Sequence, residues 1–447
     1  MDYISNTQRE RKEMLEEIGV ENIEDLFSII PKNVLLDHNL DLPEGKSEME
    51  LMDEVKSISK ENTSLEDYTS FLGAGSYDHY IPSIVDHLIL RSEFYTAYTP
   101  YQAELSQGTL QALYEYQSMM AELTGMDIVN GSMLDGGSAT AESILMATRI
   151  TRKNKVLLSE GIHPSYRKVS RSYGDPQNIE WEKISLNKTS TNLDDLKTKL
   201  DDDTAAVVVQ YPNFYGTIEK LAEIKEIVDN YKKVMLIVIA NPLTLGILTP
   251  PGKLGADIVT GEGQSLGNLI NYGGPYLGYI AIKDNRSHLR QLPGRLSGAT
   301  EDVEGNKGFV LALQTREQHI RREKAPSNIC SNEALNALIS AIYMSALGRK
   351  GIKEVGEQSL QKAHYLADKI SDISGFNIIN EQNFFHEFLV DPPVSAEKLV
   401  KELKKKNILA GIDISRFGEK KGLLVSVTEK RKKEELDEYA KALEVFE

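Results

Sequence analysis

The central part of the chain alternates short apolar runs with amphipathic segments of helical spacing. The apolar runs predict buried strands, because a strand covered on both faces carries nonpolar residues at successive positions. The predicted strands are Val156–Ser159, Ala205–Gln210, Met235–Ala240, Asp257–Thr260 and Tyr279–Ile282. The predicted helices are Thr109–Leu123, Ala139–Arg152, Leu193–Leu200 and Ile218–Tyr231. This alternation is typical of an α/β fold with a mainly parallel sheet between layers of helices.

The N-terminal segment departs from this pattern. Its charged, amphipathic sequence predicts short helices at Gln8–Ile18, Ile23–Ile29 and Ser47–Ser59. These helices carry too few apolar residues to form a core of their own. We therefore expect residues 1–65 to form an arm rather than an independently folded domain.

The C-terminal pattern changes again after a polar stretch at 283–332, which we expect to be connection and surface. A strong helix at Glu333–Leu347 is expected to end at Gly348. Beyond it the pattern predicts helices Gln358–Ile373, Ala396–Lys406 and Lys432–Val445 and strands Phe376–Ile379, Phe384–Val390 and Gly422–Val427. We predict a large α/β domain over 66–325 and a small α+β domain over 326–447.

Composition and charge narrow the classes of function. The 447 residues are 40% hydrophobic and 26% charged, which is typical of a globular protein. A net charge of −16 argues against nucleic acid or an anionic membrane as the main partner. The single cysteine, Cys330, indicates a reducing compartment. With no apolar signal segment and no run of membrane-spanning length, we expect a cytoplasmic protein.

A glycine-containing loop enters the predicted helix after residue 135. Asp135, Gly136, Gly137 and Ser138 would bring free backbone N–H groups and the positive end of a helix dipole together. Such a loop binds a phosphate or another anion. The same residues equally describe a plain N-cap by Asp135, Ser138 or Thr140, and the spacing alone favours the cap.

Three further groups of residues are candidates for binding. Tyr95, Tyr98, Tyr101 and Gln102 lie on one loop, where aromatic side chains serve either ligand or partner contact or packing against a helix. A basic cluster comprises Arg316, His319, Arg321, Arg322 and Lys324. It fits either an acidic partner or a solvated helix face with local ion pairs. His163 follows a strand and is either part of a site or structural, and we predict no metal site, since His79 and His87 lack suitable companions.

The stretch Val234–Gly278 looks like the cofactor-holding centre of the aminotransferase-like pyridoxal-phosphate (PLP) enzymes. It combines two buried strands with a glycine-rich loop. That chemistry requires a carboxylate at the end of the first strand and a lysine in the loop. The strand ends in Val238-Ile239-Ala240-Asn241 and the loop reads Glu262-Gly263-Gln264-Ser265, so neither group is present.

A more specific resemblance covers nearly the whole chain. Its motifs are YTPYQ and SQGTLQ within residues 98–111, EMLEEIGVENIEDLFSIIP at 13–31 and QTREQHIRREKAPSNIC at 314–330. These segments are similar to the glycine cleavage system P-protein family, in particular to the α subunit of its two-subunit form. Pro326 departs from the family pattern, in which we expect Thr or Ser.

The resemblance implies the PLP-dependent transferase fold type I, with a seven-stranded type of sheet, and a role in glycine dehydrogenase (decarboxylating). In that family, PLP supports the decarboxylation of glycine and the aminomethyl group passes to the lipoyl arm of H-protein. The PLP lysine belongs to the β subunit of an α2β2 enzyme. Aligned with that pattern, Val238 stands at the aspartate and Gln264 at the lysine, which predicts a chain that binds no PLP covalently.

Two alternatives remain open at the level of sequence. The chain could be a stand-alone PLP decarboxylase or transferase that uses a lysine outside the expected motif. It could instead be a PLP-free binding or regulatory protein on the same fold. A lysine adduct with PLP on the isolated chain would favour the first, and the absence of a lysine-bearing partner would favour the second.

Overall fold

The chain folds into two compact units, Met1–Thr63 and Ser64–Glu447. The computed structural model describes residues 5–36, 38, 40–329, 333–381, 383–418 and 421–446. Cys330 lies outside the described residues. In the part of the chain that is described, every helix is too short or too polar to cross a lipid bilayer.

The first unit contains the α-helices Gln8–Ile18 and Glu48–Ser59 and the 3-10 helix Ile23–Phe27. Each of the three begins with a capping box, in which the N-cap side chain and an acidic residue three positions later bond each other's backbone N–H groups. Gly19 ends the first helix at φ +83°. None of the residues in these helices is buried, so local capping rather than a core stabilises them.

A seven-stranded sheet forms the centre of the second unit. Its strands are β1 (Ile128–Val129), β2 (Lys155–Ser159), β3 (Glu180–Ile184), β4 (Thr204–Tyr211), β5 (Met235–Ala240), β6 (Ile258–Glu262) and β7 (Gly278–Ile282). Their order across the sheet is β1-β7-β6-β5-β4-β2-β3. Of these seven strands, only β7 runs in the opposite direction to the others, so both of its pairings are antiparallel. The predicted mainly parallel α/β fold is confirmed, and β5 has the predicted bounds.

Two strands of this seven-stranded sheet were not predicted. β1 is only two residues long, and β3 is the edge strand with the polar sequence Glu-Trp-Glu-Lys-Ile. An edge strand needs less apolar surface than a central one, because one of its sides faces solvent. Neither strand therefore produces a run of nonpolar residues in the sequence.

Helices cover both faces of this sheet. Alternate residues of β5 belong to two separate cores: Leu236, Val238 and Ala240 pack in one, and Met235, Ile237 and Ile239 in the other. The α-helices of this part are Ser83–Ile89, Ser92–Tyr95, Gln107–Thr124, Gly136–Thr151, Pro164–Gly174, Leu193–Lys199, Leu221–Val228, Arg286–Leu289 and Gln318–Arg321. The short 3-10 helices are Ala103–Leu105, Asp175–Gln177, Pro242–Gly246, Pro251–Leu254, Gln314–Arg316 and Arg322–Lys324.

The C-terminal part begins with a long helix, Ala334–Ser371. Gly348 adopts non-helical backbone angles within it (φ 59°, ψ −178°). The predicted helix end at Gly348 is therefore confirmed as a break between two helical segments, and only the predicted start of the second helix at residue 358 is wrong, because that segment follows Gly348 directly.

A four-stranded antiparallel sheet follows this helix. Its strands are β8 (Asn377–Ile378), β9 (Glu387–Asp391), β10 (Ile412–Asp413) and β11 (Leu423–Ser426), in the order β8-β9-β11-β10. The accompanying helices are Ala396–Lys404 and Lys433–Leu443, with 3-10 turns at Ile414–Phe417 and Glu444–Phe446. A separate apolar cluster lies here, but the predicted boundary at residue 325 stays a prediction.

The expectation that 283–332 is only connection and surface is wrong. Ser297–Glu301 and Lys307–Leu311 form an antiparallel hairpin. Phe309 and Leu311 of this hairpin form a small apolar cluster with Leu110. Two shorter pairings occur elsewhere, Thr69–Ser70 with Ile408–Leu409 and Leu186–Asn187 with Ser190–Thr191.

Candidate functional site

The candidate site lies where β5 and β6 end. Val238, at the position expected for a carboxylate, is fully buried in an apolar cluster with Leu236 and Ala240. A carboxylate at this position would lie among nonpolar side chains, and a charge buried without a partner is costly. The strand therefore offers no group that could hold a proton on a pyridine nitrogen.

Gln264, at the position expected for a lysine, is held by the main chain of a distant segment. Its Oε1 accepts a hydrogen bond from Tyr77 N at 2.9 Å. Its Nε2 donates to Tyr77 O at 3.2 Å and to Asn268 O at 2.8 Å. The side chain is 2% exposed, so a buried, paired amide takes the place of the reactive amine.

The space beside these residues is small. Tyr77, Tyr166, Asn241 and Glu262 are among the residues that line a cavity of about 30 Å³. That is roughly the share of one water molecule in the liquid, whereas pockets for organic ligands occupy roughly 300 Å³ or more. Gln264 is not among the lining residues, so it does not face this cavity.

The predicted anion loop forms the start of the helix Gly136–Thr151. Asp135 caps the helix, and its Oδ1 accepts a hydrogen bond from Ser138 N at 2.7 Å. Ser138 Oγ in turn accepts from Asp135 N at 3.2 Å, which completes a capping box. The cap interpretation of the loop is confirmed.

The first backbone N–H group of this helix binds the carboxylate of Glu262, which the sequence did not indicate as a site residue. Gly136 N donates to Glu262 Oε2 at 3.0 Å. Glu262 Oε1 accepts from Leu277 N at 2.9 Å and from Gln264 N at 3.1 Å. Burial raises the pKa of Glu262 to about 7, although the backbone N–H groups favour its charged form. The only sequence signal was a charged residue at the end of an otherwise apolar strand.

His163 occupies a closed aromatic environment. Its ring centroid lies 4.9 Å from that of Tyr166 and 5.1 Å from that of Phe214. Nδ1 accepts from Ser165 N at 3.1 Å, and Nε2 lies 3.0 Å from Ala74 O, which is the geometry of a neutral ring protonated at Nε2. Burial lowers the pKa of His163 to about 4. This geometry favours the structural interpretation of His163.

The segment that carries Tyr95, Tyr98, Tyr101 and Gln102 is largely exposed. Tyr95 and Tyr98 are 62% and 85% exposed, and Gln102 is exposed too. Tyr101 is different, because Arg295 donates a hydrogen bond to its hydroxyl at 2.8 Å and its ring lies 5.8 Å from that of His319. Tyr101 thus joins this loop to the basic segment, while Tyr95 and Tyr98 remain available for other contacts.

The basic cluster is not one surface. Arg316 is buried and donates hydrogen bonds to the carbonyl oxygens of Leu292, Gly294 and Leu313. Its role is therefore to hold the backbone, which corrects the expectation of a solvated or partner-facing side chain at this position. The remaining members are exposed: His319, Arg321, Arg322 and Lys324.

Comparison with known proteins identifies the family. The model of the glycine cleavage system P-protein matches residues 1–443. The chain belongs to the glycine cleavage system P-protein family. A P-protein relative from Bacillus cytotoxicus is 50% identical over 437 residues, with 97% of each chain covered. One from Carboxydothermus hydrogenoformans is 49% identical over 445 residues, with 99% of each covered. Both are described as "Probable glycine dehydrogenase (decarboxylating) subunit 1".

Solved structures agree with this family. The crystal structure of a glycine decarboxylase (P-protein) in inhibitor-bound form matches with a TM-score of 0.91 and 40% identity over the full length of both chains. A glutamate decarboxylase from Lactobacillus brevis (TM-score 0.69, 15% identity, 94% and 96% covered) shows the fold alone. The predicted fold type I and the resemblance to the P-protein are confirmed.

The residues of this P-protein chain do not fit PLP. Val238 and Gln264 cannot supply the carboxylate and the amine, and Glu262 takes a backbone donor of the anion loop. The cavity of about 30 Å³ is roughly a tenth of the volume of the usual pocket for an organic ligand. Within the described residues, no group of three His, Cys, Asp or Glu side chains is placed to hold a metal ion.

Proposed function

We propose that this chain is the subunit of glycine dehydrogenase (decarboxylating) that carries no PLP, and that a lysine-bearing partner subunit performs the chemistry. The observation that carries the proposal is Gln264, which pairs with the main chain of Tyr77 at the position of the Schiff-base lysine. Val238, buried in the apolar core, supports it independently. Loss of both groups together is the pattern of a subunit whose fold is retained without its cofactor chemistry.

In this proposal the two subunits form an α2β2 enzyme that decarboxylates glycine and passes the aminomethyl group to lipoylated H-protein. PLP in the partner supplies the electron sink for decarboxylation. This chain contributes surface rather than reacting groups. Tyr95 and Tyr98 are free to line the shared active site or the path of the lipoyl arm, since both are exposed. Arg321 is exposed too and suits an acidic partner surface.

The deciding experiment locates PLP in the reconstituted enzyme. The chain is purified alone, and also with its lysine-bearing partner, and each sample is incubated with PLP and reduced with borohydride. Mass spectrometry of peptides then identifies the modified lysine. We expect a modified lysine only in the partner and glycine decarboxylation only when both subunits are present.

A stable PLP adduct on a lysine of this chain would reject the proposal in favour of a stand-alone PLP enzyme. Full glycine decarboxylation by a partner without this chain would point instead to a separate binding or regulatory role. A cytoplasmic location, and the lack of nucleic-acid or membrane partners, stay predictions from the composition.

A further inference from the structure

Three backbone N–H groups from separate segments converge on Glu262. They belong to Gly136 at a helix start, Gln264 in the loop after β6 and Leu277 before β7. Gly136 begins a helix of 16 residues, and the N-terminus of this helix carries the positive end of its dipole. Converging N–H groups at a helix start are the arrangement by which proteins bind phosphate.

The carboxylate fills this position completely. A Cβ atom on Gly136 would lie 2.9 Å from the Cβ of Glu262 and 2.5 Å from the hydroxyl oxygen of Tyr166. Glycine is therefore required at residue 136, because two side chains approach its backbone directly. The cavity that remains beside them measures about 30 Å³, far below the usual volume of a ligand pocket.

Backbone N–H groups surround the carboxylate of Glu262. The charged group that acts on Glu262 is the Asp135 carboxylate, which raises the pKa of Glu262 further. The backbone N–H groups and the helix dipole therefore support the charged form of Glu262 against burial and against Asp135. A phosphate group held by a helix N-terminus depends on the same kind of support.

We infer that Glu262 is an internal substitute for a phosphate group, which occupies the place where these N–H groups would otherwise hold an anion and excludes inorganic phosphate and phosphate esters such as PLP from this chain. This inference rests on the proposed function for the identity of the excluded cofactor. It adds that the side chain of Glu262 itself excludes PLP, in addition to the loss of the lysine.

The test uses the full-length chain purified without its partner and inorganic phosphate as the probe. Wild type is compared with Glu262→Ala, which frees the N–H groups, and with Glu262→Gln, which keeps the volume of the side chain. Glu219→Ala is the matched control, since Glu219 is also buried and accepts hydrogen bonds from Thr191 and Asn213. Phosphate binding is measured by equilibrium dialysis, and Tm is measured with phosphate and with chloride at equal ionic strength.

We expect phosphate, compared with chloride, to raise the Tm of Glu262→Ala by more than it raises the Tm of wild type. Its affinity for phosphate should exceed that of wild type by at least about tenfold, the effect of one charged hydrogen bond. Wild type, Glu262→Gln and Glu219→Ala should show no phosphate binding in dialysis and only the smaller, common rise in Tm that phosphate causes by exclusion from protein surfaces.

Binding of phosphate by wild type as tightly as by Glu262→Ala would overturn the inference. So would a folded Glu262→Ala that does not respond to phosphate. If Glu262→Ala does not fold, Glu262→Ser takes its place, because it also removes the carboxylate from the N–H groups. Tight phosphate binding by wild type or Glu262→Gln would contradict exclusion in either case. The borohydride experiment with the partner subunit tests the proposed function separately. The proposed function and the role of Glu262 can therefore fail independently.

Discussion

The side-chain amide of Gln264 pairs with both main-chain groups of Tyr77, at 2.9 Å to its N and 3.2 Å to its O. The two residues lie 187 positions apart in the chain. Because both groups of one buried amide are satisfied by one residue, this contact fixes the segment around Tyr77 against the loop after β6. At the position expected for the reactive lysine, Gln264 therefore holds two distant segments of the chain together.

Restoring the lysine should therefore not restore PLP chemistry. Gln264→Lys removes the acceptor for Tyr77 N and places an amine in a buried position, where the charged form is disfavoured. We expect the free energy of unfolding to fall by about 1–3 kcal/mol, measured by urea denaturation, from the unpaired donor alone. No borohydride-stable adduct should form at residue 264. Such an adduct would show that the closed site opens for PLP.

The pH dependence of stability should reflect Glu387. Its Oε1 accepts from Ala74 N at 2.6 Å and its Oε2 from Tyr77 Oη at 3.0 Å. Burial raises the pKa of Glu387 from 4.5 to about 7. Between these values the folded state keeps a proton that the unfolded state has released, so stability falls as pH rises through this window, by up to about 1.4 kcal/mol per pH unit.

Glu387→Gln should remove this contribution, because glutamine does not titrate. Urea unfolding at pH 5 and pH 7.5 measures the difference, and the exposed Glu115→Gln serves as the control. Glu262 titrates in the same direction and remains in both variants. An unchanged pH slope in Glu387→Gln would show that Glu387 has an ordinary pKa.

Two arginines of one sequence cluster should behave differently. Arg316→Met leaves three backbone carbonyl oxygens without their buried donor and should cost about 2–4 kcal/mol of stability. The exposed Arg321→Ala should change stability by less than about 0.5 kcal/mol. Thermal or urea unfolding of both variants checks this, and equal losses would contradict the structural role assigned to Arg316.

The exposed tyrosines should matter for the assembled enzyme but not for the fold. Tyr98→Ala should leave the Tm of the isolated chain unchanged, since the side chain is 85% exposed. We expect glycine decarboxylation by the reconstituted enzyme, or affinity for the partner, to fall by about tenfold, as for an aromatic contact residue at an interface. Tyr80→Ala, which removes an exposed tyrosine outside the loop, is the control. Equal effects of Tyr98→Ala and Tyr80→Ala would contradict a specific role of Tyr98 in the assembled enzyme.

Several elements were predictable from local pattern alone. β5 has the predicted bounds Met235–Ala240, since six buried residues in a row leave a clear signal. The helix Gln8–Ile18 and its Gly19 cap are confirmed as well, because capping depends on neighbours in sequence. The hairpin at 297–311 was missed, since its strands expose polar residues and gain burial only by packing Phe309 and Leu311 near Leu110.

By itself, the sequence determined the fold class and the absence of a lysine at residue 264, because periodicity and residue identity are local properties. Only the tertiary structure decided which residues that are distant in the sequence contact one another. Glu262 meets Gly136 across 126 positions, and Arg316 reaches carbonyl oxygens 22 and 24 residues away. Such contacts depend on how strands and loops pack, and a charged residue that becomes buried through them looks in sequence like one on the surface.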